Sequence, residues 1–245
     1  KYKLYKKIVK LILKFIVNKK NSSFIFQNND DEEFFISEKL INPSQGIVIH
    51  GNGIKIPETV LSNKGVINIV RFCFIGRLAI SKGIEEFIEA FKIVKSKYVN
   101  VECFIAGSFN AGASDYLSHN DYQKIFAHHD LNYVGEIDHE NIDRVYKLGD
   151  VFVLPSDREG LPKAALEAAS VGVPLILSDV PGCRDCISNN GYLVQKRNVT
   201  ELASKMETFV LNNDLIINMG KNSRELVTKK FSIEKIAGDY IKIIS

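Results

Sequence analysis

No apolar run in this chain reaches the length of about 20 residues that a membrane-spanning helix needs. Cysteine is scarce as well: four in 245 residues make no disulfide framework, which points to a reducing compartment and a cytoplasmic location. The first twenty residues lack the marks of a secretory leader, because Lys interrupts every would-be apolar core and no small-residue cleavage site follows. They also lack acids. Eight of the chain's 32 basic residues fall there, which leaves 24 against 29 Asp and Glu in the remainder, a balance of −5. Such a body is a poor candidate for nucleic-acid binding, which needs a basic face, and no nucleic acid is expected as a partner. The chain opens on Lys1 rather than Met and is read as a piece of something longer.

What is present is the composition of a globular α/β protein, 45% hydrophobic and 25% charged. Lys1–Lys20 reads as an amphipathic helix, with Leu4, Ile8, Leu11, Ile12 and Phe15 at helical spacing and Lys on most of the other side. It is either a surface helix with its apolar face in a core or a peripheral contact with anionic membrane. Ser23–Gln27 and Ile47–Ile49 read as short strands, Asn28–Glu33 as a polar turn or helix start, and Glu58–Lys64 as a linker. From Ile67 the pattern is regular. Strands are expected at Ile67–Ile75, Val101–Ala106, Leu131–Val134, Val151–Leu154, Leu175–Leu177 and Gly191–Val194. Helices are expected at Lys82–Tyr98 with Ser81 as cap, around Tyr116–His128, and at Asn141–Leu148, Pro162–Val171, Val199–Leu211, Leu215–Lys229 and Ile233–Ile244. Strands without alternation are buried on both faces, as in parallel sheets. Their alternation with helices predicts a doubly wound, Rossmann-like parallel sheet whose ligands bind at the carboxyl ends of the strands.

Two loops at those ends carry chemistry. The first, Gly76-Arg77-Leu78-Ala79-Ile80-Ser81-Lys82-Gly83, puts Arg at a strand end and Lys at the next helix start. With the helix N-terminus these make a site for a diphosphate. Alone, the same two residues read equally well as solvated charges flanking a turn. The second runs from Pro155 through Glu159-Gly160-Leu161-Pro162-Lys163 to Glu167-Ala168. Pro162 suits a first helical turn, and Glu167, among small residues, is placed to accept hydrogen bonds from a vicinal diol such as a ribose.

Phe74-Ile75-Gly76-Arg77-Leu78 with Lys82-Gly83-Ile84, then Leu154-Pro155-Ser156 with Glu159-Gly160-Leu161-Pro162 and Leu166-Glu167-Ala168, resemble the retaining family 4 glycosyltransferases of GT-B fold. Glu159 and Glu167 match that family's E-x7-E pattern. Gly172-Val173-Pro174, Val180–Asp185, Phe26–Asp30 and Gly51-Asn52-Gly53 continue the likeness, which is greatest to the bacterial capsule and O-antigen branch. The resemblance implies that Arg77 and Lys82 bind the donor diphosphate, Glu167 the ribose and Glu159 the donor sugar, with Gly76, Gly160, Leu161, Pro162 and Lys163 around them. It implies a nucleotide diphosphate sugar as donor, expected to be UDP-linked, no cofactor, no metal, and a lipid-linked glycan as acceptor. It further implies that residues 1–62 are the end of an acceptor-side domain, that 63–230 form the donor domain, and that 231–245 cross back toward the former. A non-catalytic nucleotide-sugar-binding half that needs a separate N-terminal domain is the alternative, and an epimerase on the same fold a third.

Other patterns carry less. Cys183-Arg184-Asp185-Cys186 has no second pair to complete a zinc site. Cys73 and Cys103 fall in core strands. His128-His129-Asp130 reads as a solvated helix end, because adjacent helical residues diverge by about 100°. Asn21-Ser22-Ser23 and Asn198-Val199-Thr200 fit the glycosylation pattern but follow no secretory signal.

Overall fold

The structure, a computed structural model, describes residues 11–14, 22–58, 67–109, 115–117, 120, 122–123, 127, 130–137 and 145–244. Six parallel strands form the main sheet: β3 (Val70–Ile75), β4 (Val101–Ala106), β5 (Leu131–Tyr133), β6 (Val151–Leu154), β7 (Leu175–Ser178) and β8 (Gly191–Val194), in the order β5-β4-β3-β6-β7-β8. The sheet starts at its centre on β3, runs outward through β4 to β5, then returns to the other side of β3 with β6. That reversal between β3 and β6 is the topological switch point of a doubly wound sheet, where a crevice opens beyond the strand ends. β6 and β7 are buried at every residue, and their continuous apolar runs reflect cover on both faces.

The helices follow from their stripes. In α2 (Ile84–Lys97), Ile84, Phe87, Ile88, Phe91 and Val94 are buried at i, i+3 and i+4 spacing. α3 is Lys163–Ser170, α4 Val199–Leu211, α5 Asp214–Lys230 and α6 Ile233–Ile244. A second, two-stranded parallel sheet pairs β1 (Phe24–Phe26) with β2 (Gly46–Val48), joined through α1 (Asn29–Ser37). Asn28 caps α1, its side chain accepting from the Asp31 amide at 2.8 Å.

The structure corrects some boundaries. Residues 67–69 precede the first strand rather than belonging to it. Ser81 is not the helix cap: it sits in a 3-10 turn, Ile80–Lys82, and Gly83 at φ 75° begins the helix. The Ser81 hydroxyl instead donates to Asp115 at 2.5 Å, which removes it from capping and holds the Asp115 carboxyl below its ordinary pKa. Pro162 is the residue before α3 rather than inside it. Of the expected Lys1–Lys20 helix, 11–14 are helical, with Leu11 and Ile12 exposed; the rest lies outside the described residues. So do most of the expected helices around Tyr116–His128 and Asn141–Leu148, the His128-His129 pair, and most of the Glu58–Lys64 linker.

Candidate functional site

The loops after β3 and β6 meet at the switch point. The contact is backbone on backbone: the Asp157 amide donates to the Ser81 carbonyl at 2.9 Å. A Cβ on Gly83 would lie 2.2 Å from the Pro155 carbonyl oxygen, at a φ that L side chains rarely adopt. Only glycine lets the two loops approach this closely.

That approach brings Lys82 and Glu159 together. Lys82 Nζ lies 2.6 Å from Glu159 Oε1, and the Ser156 hydroxyl donates to the same oxygen at 2.7 Å. Glu159 is 8% exposed at its side chain and Lys82 21%, so the pair is largely shielded from solvent. Arg77 is exposed at the end of β3, its guanidinium 5.9 Å from the centre of the Tyr116 ring. Gly76 faces open space, with nothing within 4 Å of a Cβ built there. Glu167 sits on α3, where the Tyr146 hydroxyl donates to Oε2 at 2.9 Å and Lys163 Nζ lies 3.2 Å from Oε1. Tyr146 is fully buried, so its hydroxyl is a fixed donor. Thus Lys82, from the β3–α2 loop, and Glu159 form one cluster, and Glu167 and Lys163, both on α3, form another.

The segment between the carboxylates is held from two other directions. Asn28, itself fully buried, donates from Nδ2 to the Gly160 carbonyl at 2.8 Å while its Oδ1 caps α1. Gly182, at φ 77°, would place a Cβ 2.1 Å from that same carbonyl. Sequence reasoning did not single out Asn28 or Tyr146. The run Asn28-Asn29-Asp30-Asp31-Glu32 is an N-cap followed by a first-turn acid cluster and marks α1, but nothing in it reveals the contact with Gly160. Further links tie the β1–α1 segment to the β7–β8 connection: Asn29 Nδ2 donates to Asp185 at 2.7 Å, and Arg184 bridges Asp30 and Asp179.

All four cysteines are buried thiols outside any disulfide. Burial pushes the Cys103 thiol up to about 12 and raises Cys183 and Cys186 well above the ordinary thiol range, so these groups pack rather than react. Among the described residues, no group of three or more His, Cys, Asp or Glu side chains is arranged around a metal-sized space. Asn198, in the second glycosylation pattern, caps α4 by accepting from the Glu201 amide at 3.0 Å.

A six-stranded parallel sheet of this order, with its crevice at the β3/β6 reversal, is a Rossmann-like domain. The family model for glycosyl transferases group 1 matches residues 68–226; the chain belongs to that family. It is 33% identical over 165 residues to the capsular polysaccharide biosynthesis glycosyltransferase CapM of Staphylococcus aureus, covering 66% of this chain and 42% of that protein. It is 29% identical over 261 residues to an Escherichia coli UDP-Gal:alpha-D-GlcNAc-diphosphoundecaprenol alpha-1,3-galactosyltransferase, covering 98% of this chain and 66% of that one. Among solved structures it superposes on Anabaena HepE in complex with UDP at a TM-score of 0.80, with 18% identity over 96% of this chain and 67% of that one. The fold is thus the Rossmann-like type of GT-B glycosyltransferases, and the chain spans between 42% and 66% of the length of these two curated relatives.

Proposed function

We propose that this chain is the donor-binding part of a retaining glycosyltransferase. It transfers a hexosyl or N-acetylhexosaminyl group from a nucleotide diphosphate sugar, UDP-linked, to a hydroxyl of a lipid-linked glycan in cell-surface polysaccharide synthesis. The observation that carries this reading is the meeting of Lys82, Ser156 and Glu159 at the switch point of the sheet. The two named relatives support the substrate classes: one is a capsular polysaccharide enzyme, the other takes UDP-Gal and a diphosphoundecaprenol-linked acceptor.

In this reading Arg77, Lys82 and the amide end of α2 take the diphosphate and carry its charge as it departs, so that cationic side chains and backbone dipoles take the part of a divalent ion. Glu159 takes a hydroxyl of the donor sugar and Glu167 the ribose, with Gly76 and the Gly160-Leu161-Pro162-Lys163 backbone around them. In the free chain Lys82 and Glu159 neutralise each other. An arriving diphosphate competes for Lys82 and releases the Glu159 carboxylate toward the sugar, so donor binding itself prepares the second contact. Residues 1–62 are the end of an acceptor-side domain, 63–230 the donor domain and 231–245 the helix that returns to the former. The positive charge of the Lys-rich 1–20 segment supports a peripheral contact with anionic lipid at the inner surface of the membrane.

The test is transfer from UDP-sugars to a GlcNAc-diphosphoundecaprenol acceptor by the protein at its natural length, with calorimetry of UDP and GDP alongside. Arg77→Ala, Lys82→Ala and Glu167→Gln are each expected to lower kcat/KM about a hundredfold or more. Near wild-type rates in all three would sink the site assignment. Nucleotide-sugar binding without transfer would favour the non-catalytic alternative.

A further inference from the structure

Between β2 and α3 lies a cleft of about 290 Å³, lined by Gln27, His50, Asn52, Lys163 and, on its apolar side, Leu161 and Leu166. Neither carboxylate lines it, yet Leu161 and Lys163 lie between Glu159 and Glu167, Leu161 in the loop and Lys163 at the start of α3. Its volume sits at the low end of the about 300–1,000 Å³ that ligand pockets span, which suits one sugar ring and is too small for a nucleotide. Its chemistry suits a pyranose as well: amides, an imidazole and an ammonium for hydroxyls, and leucine side chains for the C–H face. The wall opposite α3 is Gly51-Asn52-Gly53. Both glycines have positive φ, and a Cβ on Gly51 would come 2.8 Å from Leu161. The side-chain-free backbone keeps the cleft open while touching the loop.

His50 is the group with a fixed chemical state here. Its Nδ1 lies 3.2 Å from the Gln27 carbonyl. A carbonyl only accepts, so Nδ1 carries the proton and Nε2 presents its lone pair. The ring stands edge-on to Phe231 with centroids 5.3 Å apart. Burial, and then the Lys230 ammonium, hold it below the ordinary histidine pKa; Lys235 acts the same way, while Asp185 and the Gln27 hydrogen bond oppose.

We infer that this cleft is a pyranose-binding subsite in which His50 Nε2 accepts a hydrogen bond from a ring hydroxyl, with Asn52 and Gln27 as further polar contacts. It rests on the nucleotide-sugar reading of the neighbouring loop, and the ring comes either from the donor sugar or from the acceptor glycan.

The experiment uses two paired substitutions and two arms. His50→Asn keeps a donor for the Gln27 carbonyl and removes the Nε2 acceptor; His50→Gln keeps an acceptor at the ε position. Asn52→Ala removes an exposed amide from the opposite wall and leaves the fold alone. In the donor arm, calorimetry compares UDP with UDP-glucose, UDP-galactose and their N-acetylhexosamine counterparts. The quantity read is the affinity that the sugar adds over UDP. In the acceptor arm, saturation-transfer NMR follows the methyl α-pyranosides of the same sugars without nucleotide. His50→Asn and Asn52→Ala are expected to weaken pyranose binding about five- to tenfold in one arm, with His50→Gln restoring most of it. A loss in the donor arm makes the ring the donor's; a loss in the acceptor arm makes it the glycan's. Pyranose binding unchanged in both arms overturns the subsite. Failure of UDP itself to bind the wild type overturns the nucleotide-sugar reading instead, and the acceptor arm still tests the cleft.

Discussion

At the scale of single residues, the Lys82–Glu159 pair makes a prediction separable from catalysis. Glu159 is nearly buried and Lys82 is its 2.6 Å counter-charge. Removing one partner leaves the other charge desolvated, at a cost well above that of an exposed pair. Lys82→Ala is expected to destabilise the fold by about 1–3 kcal/mol in urea titration, and Lys82→Ala with Glu159→Gln to recover most of it. Additive losses in the double variant would mean the pair is not coupled. Tyr146 offers a second case. Its hydroxyl holds Glu167 Oε2; if Glu167 takes the ribose as proposed, Tyr146→Phe should weaken UDP binding by about 1 kcal/mol yet leave 2′,3′-dideoxy-UDP unaffected, since the lost bond acts only through that carboxylate. Equal losses for both nucleotides would make Tyr146 merely a packing residue. The His50 acceptor adds a pH signature. Its neutral form is the binding form and its pKa is lowered by burial and Lys230. The affinity contributed by the sugar should therefore hold from neutral pH down past the ordinary histidine value near 6.5 and fall only below it. A fall beginning above 6.5 would contradict the assignment.

At the scale of elements, the site is positioned by where loops touch. α1 and the loop from Glu159 to Pro162 share Asn28, which caps one and clamps the other. Asn28→Ser keeps an oxygen for the cap but loses the amide that donates to Gly160; Asn28→Ala loses both. The expected costs are about 1–3 kcal/mol for the Ser variant and about 1 kcal/mol more for Ala, read by urea denaturation. Equal costs would show that the cap contributes nothing. The elements themselves were legible from the sequence. Apolar continuity in Val151–Leu154 and Leu175–Leu177 follows from burial on two faces, and the α2 stripe follows from 3.6-residue spacing. Ser81 misled because a serine just before an apolar-periodic run has the sequence of a cap. The backbone needed a left-handed residue there, which Gly83 supplies, and the Ser81 hydroxyl found Asp115, 34 residues away. Arg77, Lys82 and Glu159 could be proposed from the sequence because they lie on loops at strand ends, and Glu167 because it lies in the helix that follows one of them. Their partners could not: Ser156 and Tyr146 read as ordinary neighbours of core strands, and His50 gains its state from Phe231 and Lys230 far along the chain.

At the scale of the molecule, the stretch from Asn28 to Ile54 and the start of α6 converge on the Rossmann-like domain. The amide of Ile54 donates to the Phe231 carbonyl at 2.7 Å and that of Ile233 to the Ile54 carbonyl at 3.2 Å, so α6 starts against the stretch that lines the cleft. Asn29 and Asp30 engage Asp185 and Arg184 from the β1–α1 side. Loops fastened from the sheet, from α1 and from the start of α6 have few conformations left to lose when a ligand arrives, which favours binding through reduced ordering cost. A ligand that binds only the folded chain then reports itself as stability. UDP at a hundred times its Kd adds about 2.7 kcal/mol, and for a chain of this size that raises Tm by about 5–10 °C. If Lys82→Ala weakens UDP tenfold, the same UDP concentration adds about 1.4 kcal/mol and the shift falls to about half, each variant being compared with its own UDP-free melt. Differential scanning calorimetry over a UDP series reads both. A Tm that does not move with UDP in the wild type would remove the diphosphate site. A full shift in Lys82→Ala would leave the site in place and take Lys82 out of it.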